Sequence, residues 1–241
     1  MPRGEAGFEN DPYDLLCELG LEQAVALVRR YRSEFTGGWF ESLIDLGHPY
    51  EITRRDLIAV ECLSVCFPAR VSTWILDEGR GELTALLRDE RLRPDRDLWE
   101  CELADLGRGS PADDLWTLLT GDSWRAFWPG RIALKGIGAV TAGKLLAAKR
   151  PQMIPVVDTV VRDALQAPRN RFWESMWWAM QDPKLRQCLE AIREEACRQE
   201  AGGPPLPPRP LPSLLRTLDI VVWMRGRQTL LQRRFASRGG R

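Results

Sequence analysis

The chain has 241 residues, its 34 Lys and Arg balance 34 Asp and Glu, and 44% of its residues are hydrophobic. This ordinary globular composition excludes wholesale disorder, and the zero net charge gives no global attraction for nucleic acid or a membrane surface. No uncharged apolar run approaches the roughly 18–20 residues of a membrane span, and the acidic N-terminal region is no signal peptide. We therefore expect a soluble, cytoplasmic protein without a membrane partner.

Helical patterns follow one another along the first 130 residues. Asp11-Pro12 is typical of a helix start, and Thr53 with Asp56 resembles a capping box that opens another helix. Two more short helices are predicted before residue 90. Because strand alternation is nowhere sustained, the predicted fold class is all-α.

The cysteines and the histidine limit the metal chemistry that the chain could carry. Six cysteines include no Cys-x-x-Cys pair, and His48 is the only histidine. Structural zinc and iron–sulfur sites normally need such pairs or a Cys/His set. The sequence therefore predicts no metal site and no cofactor.

Charge is distributed unevenly along the chain. Residues 72–122 hold thirteen acidic against six basic residues, which is most simply a solvated face. Residues 131–171 hold eight basic against two acidic residues, so the zero total conceals a basic segment. Any surface that binds nucleic acid should lie within that segment and away from the acidic one.

The C-terminal region differs in composition from what precedes it. After a predicted helical domain over 1–201, the proline-rich stretch 202–212 is typical of an extended linker; an SH3-type ligand is the sharper alternative. Ser213 then caps a helix predicted over 213–226, which ends at a glycine and has one apolar face that should dock on the core. Residues 227–241 are predicted to be a basic, frayed tail.

The segment with the most chemical information begins at Leu134-Lys135. Gly136-Ile137-Gly138 makes a tight turn before a helix, where free backbone N–H groups and the helix dipole can bind an anion such as a DNA phosphate. The alternative is that the glycines only form a tight turn before a helix that packs in the core and binds no ligand. Further along, Asp158 follows a Pro-Val-Val run and opens a new helix, which is the position of an N-cap.

The combination resembles the signature of the helix-hairpin-helix DNA glycosylases over about residues 131–165. In that superfamily a Leu-Pro-Gly-Ile-Gly hairpin precedes Thr-Ala in the next helix and, after a loop, Val-Asp-Thr. The matching positions, at the same spacing, are Leu134, Gly136, Ile137, Gly138, Thr141, Ala142, Pro155, Val157, Asp158 and Thr159.

The resemblance implies a DNA-binding, base-excision-repair hydrolase. Asp158 would be the catalytic carboxylate acting on a base flipped out of the duplex. The lysine nucleophile of bifunctional members falls at Val140, which implies a monofunctional N-glycosylase. The residues implied to contact the DNA backbone are Lys135, Gly136, Ile137, Gly138, Val140, Thr141 and Lys144.

Two other functions stay open from the sequence. The hairpin could hold DNA without catalysis, with Asp158 serving only as a helix cap, or the chain could be a structural, partner-binding helical protein. The whole chain also resembles an uncharacterised family of small proteins from GC-rich bacteria, in elements such as residues 144–151 and 155–158. That second resemblance implies no activity.

The tryptophans allow two interpretations, contact with DNA bases or packing in the core. One set precedes the hairpin, and Trp173, Trp177 and Trp178 follow the Asp158 helix. They could stack on bases, but Trp173 and Trp177 have the i, i+4 spacing of a helix face that packs on the core. We expect core packing.

Overall fold

A computed structural model describes residues 7–120, 137–168, 171–198 and 209–238. Within these ranges the chain is helical and contains no strand, which confirms the all-α prediction. Four short 3-10 helices cover Thr36–Trp39, Glu90–Leu92, Leu98–Glu100 and Leu103–Leu106. The α-helices are α1 (Pro12–Glu34), α2 (Phe40–Leu43), α3 (Arg54–Glu61), α4 (Ala69–Leu76), α5 (Arg80–Leu87), α6 (Pro111–Thr120), α7 (Ala139–Lys149), α8 (Thr159–Ala164), α9 (Phe172–Met180), α10 (Pro183–Cys197) and α11 (Leu214–Arg238).

By its internal contacts the chain divides into two compact units. Unit 1 joins Met1–Phe35 to Val157–Arg241, and unit 2 is the continuous segment Thr36–Val156. A unit built from both ends of a chain depends on contacts between distant residues. Local periodicity does not reveal such contacts, so composition and pattern alone did not predict this division.

Unit 1 is built around α1, which packs against α10 and α11, while α8 packs against α11. The start of α1 is as predicted: Asp11 Oδ1 accepts a hydrogen bond from the backbone N–H of Tyr13 at 2.7 Å, and Pro12 is the first helical residue. Gly20, with a φ of 73°, interrupts the helix. An L side chain rarely adopts that conformation, so glycine allows α1 to bend there.

The C-terminal helix docks within unit 1, as its apolar face predicted. Ser213 Oγ accepts from the backbone N–H of Arg216 at 3.1 Å, which confirms the cap, and most residues from Leu214 to Met224 are buried. The predicted end at Gly226 is wrong, because α11 continues to Arg238. A β-carbon on Gly226 would stand 2.8 Å from Val160 Cγ1, so this glycine permits close packing on α8 instead of ending the helix.

Unit 2 is organised around α7. This helix packs against α3 and α6, α2 packs on α3, and α5 packs on α6. The predicted capping box is present at the start of α3, where the side chains of Thr53 and Asp56 bond reciprocally with the backbone. Residues 142–149 of α7 are all buried, so this helix forms the centre of the unit.

No helix in the described ranges is long and apolar enough to cross a membrane.

Candidate nucleic-acid interface

The second half of the predicted hairpin lies in the described part of the chain. Lys135 and Gly136 lie outside the described residues. Ile137 is buried, and Gly138 is exposed in an extended conformation as the N-cap of α7. The structure therefore supports the helix start that the motif predicted, while the preceding half of the hairpin remains a prediction.

The first turn of α7 is accessible, whereas the rest of the helix is not. Ala139 is exposed, and Val140 and Thr141 are half-buried. As the N-cap residue, Gly138 has no side chain and so provides no cap of the kind that Ser, Thr, Asp or Asn would provide. The backbone N–H groups at this end, together with the positive end of the helix dipole, can receive an anion.

Lys144 does not contribute to this accessible end. It is 4% exposed, and its Nζ donates to the carbonyl oxygen of Leu63 at 2.8 Å. An ammonium that is buried and hydrogen-bonded inside the protein is not available to a DNA phosphate. In the structure, the Lys144 ammonium therefore serves as an internal hydrogen-bond donor and not as the predicted phosphate contact.

Lys149, at the far end of α7, belongs to a buried ionic network. Its Nζ donates to Asp56 Oδ2 and to the carbonyl oxygens of Asp45 and His48, each at 3.0 Å. Asp56 also accepts from the backbone N–H groups of Thr53 and Asp45 at 2.8 Å. Burial lowers the pKa of Lys149 below its usual value, although the neighbouring Asp56 carboxylate acts in the opposite direction.

Arg150 ends α7 with its guanidinium facing carbonyl oxygens. It donates to the oxygens of Pro49 and Lys149 at 2.7 Å, to that of Leu87 at 2.5 Å, and to that of Leu92. Only 1% of its surface is exposed. Burial lowers the pKa of Arg150 to about 10, so the guanidinium stays charged at neutral pH.

The burial of these three side chains changes the electrostatic prediction for the basic segment 131–171. Lys144, Lys149 and Arg150 account for three of the eight basic residues between positions 131 and 171, and all three are buried. Their charges satisfy internal acceptors rather than forming a basic surface. For the described residues of the motif, the attraction for an anion comes from the first turn of α7.

Asp158 is the N-cap of α8, as the more conservative interpretation predicted. Its Oδ1 accepts from the backbone N–H of Val160 at 2.9 Å, and the residue is half-buried. Asp158 belongs to unit 1, whereas α7 belongs to unit 2. Its carboxylate is neither sealed in the core nor fully exposed, and it already has a structural partner.

Comparison with known proteins then places the chain in a family. A profile described as a family of unknown function (DUF6308) matches residues 24–226. The chain belongs to the DUF6308 family. No curated protein and no solved structure matches it.

In this DUF6308 protein, the residues that sequence reasoning missed are the internal partners of α7. Asp56 was recognised only as part of a capping box, and the carbonyl groups that receive Arg150 have no sequence signature. One signal was available: lysine is rare in this chain, and three of its four lysines fall within residues 135–149. That clustering indicated specific roles, although the roles of Lys144 and Lys149 proved to be internal.

Proposed function

We propose that this protein binds the phosphate backbone of duplex DNA through the first turn of α7. The observation that supports this most directly is the accessible helix start at Gly138–Thr141, whose N-cap residue has no side chain, in contrast to the buried remainder of the helix. Such a start can receive a phosphate oxygen without reading base sequence. The resemblance of this segment to helix-hairpin-helix glycosylases is the reason for choosing DNA among phosphate-bearing ligands.

The burial of the neighbouring cations sets the expected strength of binding. Each phosphate contact contributes about −0.9 to the slope of log K against log salt for duplex DNA. A contact centred on one helix start should reach only one or two phosphates, so the expected slope is about −1 to −2. A fluorescence-anisotropy titration of a labelled duplex at several salt concentrations measures this slope, and salt-independent binding would contradict a phosphate contact.

A charge placed at the exposed Ala139 tests the binding surface. The substitution Ala139→Glu is compatible with the helix, because a carboxylate is favourable in the first turn, but it should repel phosphate. We expect it to weaken duplex binding by about five-fold, the value of one repulsive charge pair near 4 Å in water. The neutral Ala139→Gln, of the same size, is the matched control and should bind like the unsubstituted protein. Equal affinities for the two variants would place the DNA contact elsewhere.

Hydrolysis of an N-glycosidic bond is the second candidate function. The observation in its favour is that the Asp158 carboxylate is not sealed in the core. An aspartate in this role stabilises positive charge on the sugar as the C1′–N bond breaks and the base leaves with the bonding electrons. Water then adds to C1′ and its proton passes to the departed base, which completes the hydrolysis without a lysine nucleophile.

The substitution Asp158→Asn separates catalysis from capping. Asparagine caps helices as well as aspartate does, so the fold should be retained while the negative charge is lost. If Asp158 is catalytic, release of damaged bases from lesion-bearing duplexes should fall at least 100-fold. The control Asp89→Asn removes a carboxylate with the same capping geometry, accepting at 2.9 Å from the N–H two residues later, and should leave activity unchanged. Unchanged activity in Asp158→Asn would leave Asp158 as a cap only.

A further inference from the structure

A small pocket in unit 1 lies where the starts of α1 and α10 meet α9. Its volume is about 100 Å³. The chain contributes residues of three kinds: aromatic side chains, carboxylates, and small or aliphatic groups. The polar and aromatic members are Phe8, Asp11, Tyr13, Ser175, Trp178 and Asp182. Its lining includes neither a residue of α7 nor Asp158, so the pocket's role does not depend on the proposed function.

Three aromatic side chains line this pocket, of which Phe8 and Tyr13 are half-buried and Trp178 is exposed. Trp178 is 41% exposed, in contrast to the half-buried Trp173 and Trp177 on the same helix. Phe8 is held by an edge contact with Phe172, with ring centroids 5.8 Å apart. Aromatic rings around a small volume attract cations through the negative potential of their faces.

Two carboxylates give the pocket a net negative charge. Asp11 accepts from the N–H of Tyr13 at 2.7 Å, and Asp182 accepts from the N–H of Lys184 at 2.9 Å. Each therefore caps a helix whose N-terminus carries about half a positive charge. Two full negative charges against two half positive charges leave about one negative charge. Among the described residues that line the pocket, none is Lys or Arg.

The volume restricts the ligand to a small group. A water molecule occupies about 30 Å³ in the liquid, so the pocket holds a group of roughly three or four heavy atoms. Pockets for whole drug-sized ligands are several times larger, about 300–1,000 Å³. A trimethylammonium head has four heavy atoms, one positive charge and an apolar surface, and it matches the size, charge and aromatic lining together.

We propose that this pocket binds a methylated ammonium head group, held between the Tyr13, Phe8 and Trp178 rings and the Asp11 and Asp182 carboxylates. Methylation is essential to the recognition. A bare ammonium is strongly hydrated, whereas methyl groups lower the cost of leaving water and give the rings apolar surface to contact. Such a head group occurs in free choline-like molecules and on trimethylated lysine.

Ligand-observed NMR titrations of the full chain test the proposal. Choline is compared with 3,3-dimethyl-1-butanol, which has the same shape without the charge. Choline should bind, and the neutral analogue should bind at least five-fold more weakly, because it lacks a charge pair worth that factor at about 4 Å in water. Equal binding of the two would overturn the proposal, as would no binding of choline at about 10 mM, where a ligand of millimolar Kd would be largely bound.

Substitutions then locate the site. Trp178→Ala should weaken choline binding by about two- to thirty-fold, the range of one cation–π contact, and Asp182→Asn by about five-fold while retaining the helix cap. The matched controls are Trp39→Ala, another exposed tryptophan, and Asp89→Asn, another capping aspartate; both should bind as the unsubstituted chain does. Choline affinity that is unchanged in Trp178→Ala and Asp182→Asn would overturn the assignment to this pocket.

A second pair of ligands distinguishes the source of the head group. A short peptide with trimethyllysine is compared with the same peptide carrying unmodified lysine. If the source is a partner protein, the methylated peptide should bind more tightly than choline and lose at least five-fold on removal of the methyl groups. If the source is a free small molecule, choline should bind at least as tightly as the methylated peptide. Preference for the unmodified peptide would overturn the proposal.

Discussion

Replacing Arg150 by methionine should lower the free energy of unfolding of unit 2 by about 4 kcal/mol or more. The guanidinium donates to four carbonyl oxygens, and methionine, which replaces little more than the apolar stem of arginine, has no donor for any of them. Each buried acceptor left without a partner costs about 1–3 kcal/mol. Because domains are stable by only about 5–15 kcal/mol, this one change should remove much of the stability. Urea denaturation followed by circular dichroism measures it.

Two variants separate the loss of these hydrogen bonds from the loss of positive charge and from the general effect of replacing an arginine by methionine. Arg150→Lys keeps the positive charge, but a compact ammonium has three donors and lacks the planar guanidinium fork, so it should recover only part of the loss. Arg70→Met makes the same chemical change at an exposed position of α4 and should alter stability by less than about 0.5 kcal/mol. If Arg150→Met proved as stable as Arg70→Met, the four carbonyl groups would have other partners, and Arg150 would not support the unit.

The fate of the basic residues shows where inference from sequence stops. Local rules predicted the helix starts at Asp11, Thr53 and Ser213, because a cap depends on residues only a few positions apart. The burial of Lys149 depends on Asp56, which is 93 positions away in the chain. A lysine in a glycine-rich, basic segment has the same sequence signature whether its ammonium meets a phosphate or an internal carboxylate.

Gly226 and Asp158 are two further residues whose roles cannot be distinguished from the sequence pattern alone. A glycine after an apolar helical face is typical of a C-cap, but it is also required where two helices come close together, and only the contact with Val160 distinguishes these cases. Asp158 fits a cap and a catalytic carboxylate equally well in sequence. The structure adds the hydrogen bond to Val160 N–H, which accounts for the residue type without an enzymatic role.

The burial pattern of α7 connects stability to the proposed function. The C-terminal end of α7 is held in place by the buried hydrogen bonds of Lys149 and Arg150. Their positive charges also complement the negative end of the helix dipole. Its first turn is left accessible at the opposite end. Because α7 is rigidly held, the N–H groups of its first turn keep a fixed orientation toward an anion. Variants that loosen the buried C-terminal end should therefore weaken DNA binding, although the substituted residues do not contact the DNA.

The Lys149–Asp56 pair should show strong energetic coupling. Lys149→Met leaves the Asp56 carboxylate buried without its cation, and Asp56→Asn leaves the ammonium without its anion; each should cost about 3–5 kcal/mol. The exposed fractions of the two side chains are 1% and 0%, so water cannot replace the lost partner without local opening. Lys184→Met, the same change at an exposed lysine of α10, is the control and should be nearly neutral.

The double variant Lys149→Met/Asp56→Asn decides whether the pair acts as a unit. Once one charge is gone, removal of the other relieves an uncompensated buried ion, so the double variant should lose about 1–3 kcal/mol less than the sum of the single losses. Losses that simply add would contradict direct coupling and would assign the stability to the carbonyl groups of Asp45 and His48 and to the Thr53 cap instead. The single oxygen introduced by Asp56→Asn can still accept from the Thr53 N–H at the start of α3, but it cannot also accept from the Asp45 N–H. Both variants that carry Asp56→Asn lose that second bond, so its loss cancels in the cycle and the ionic contact is isolated.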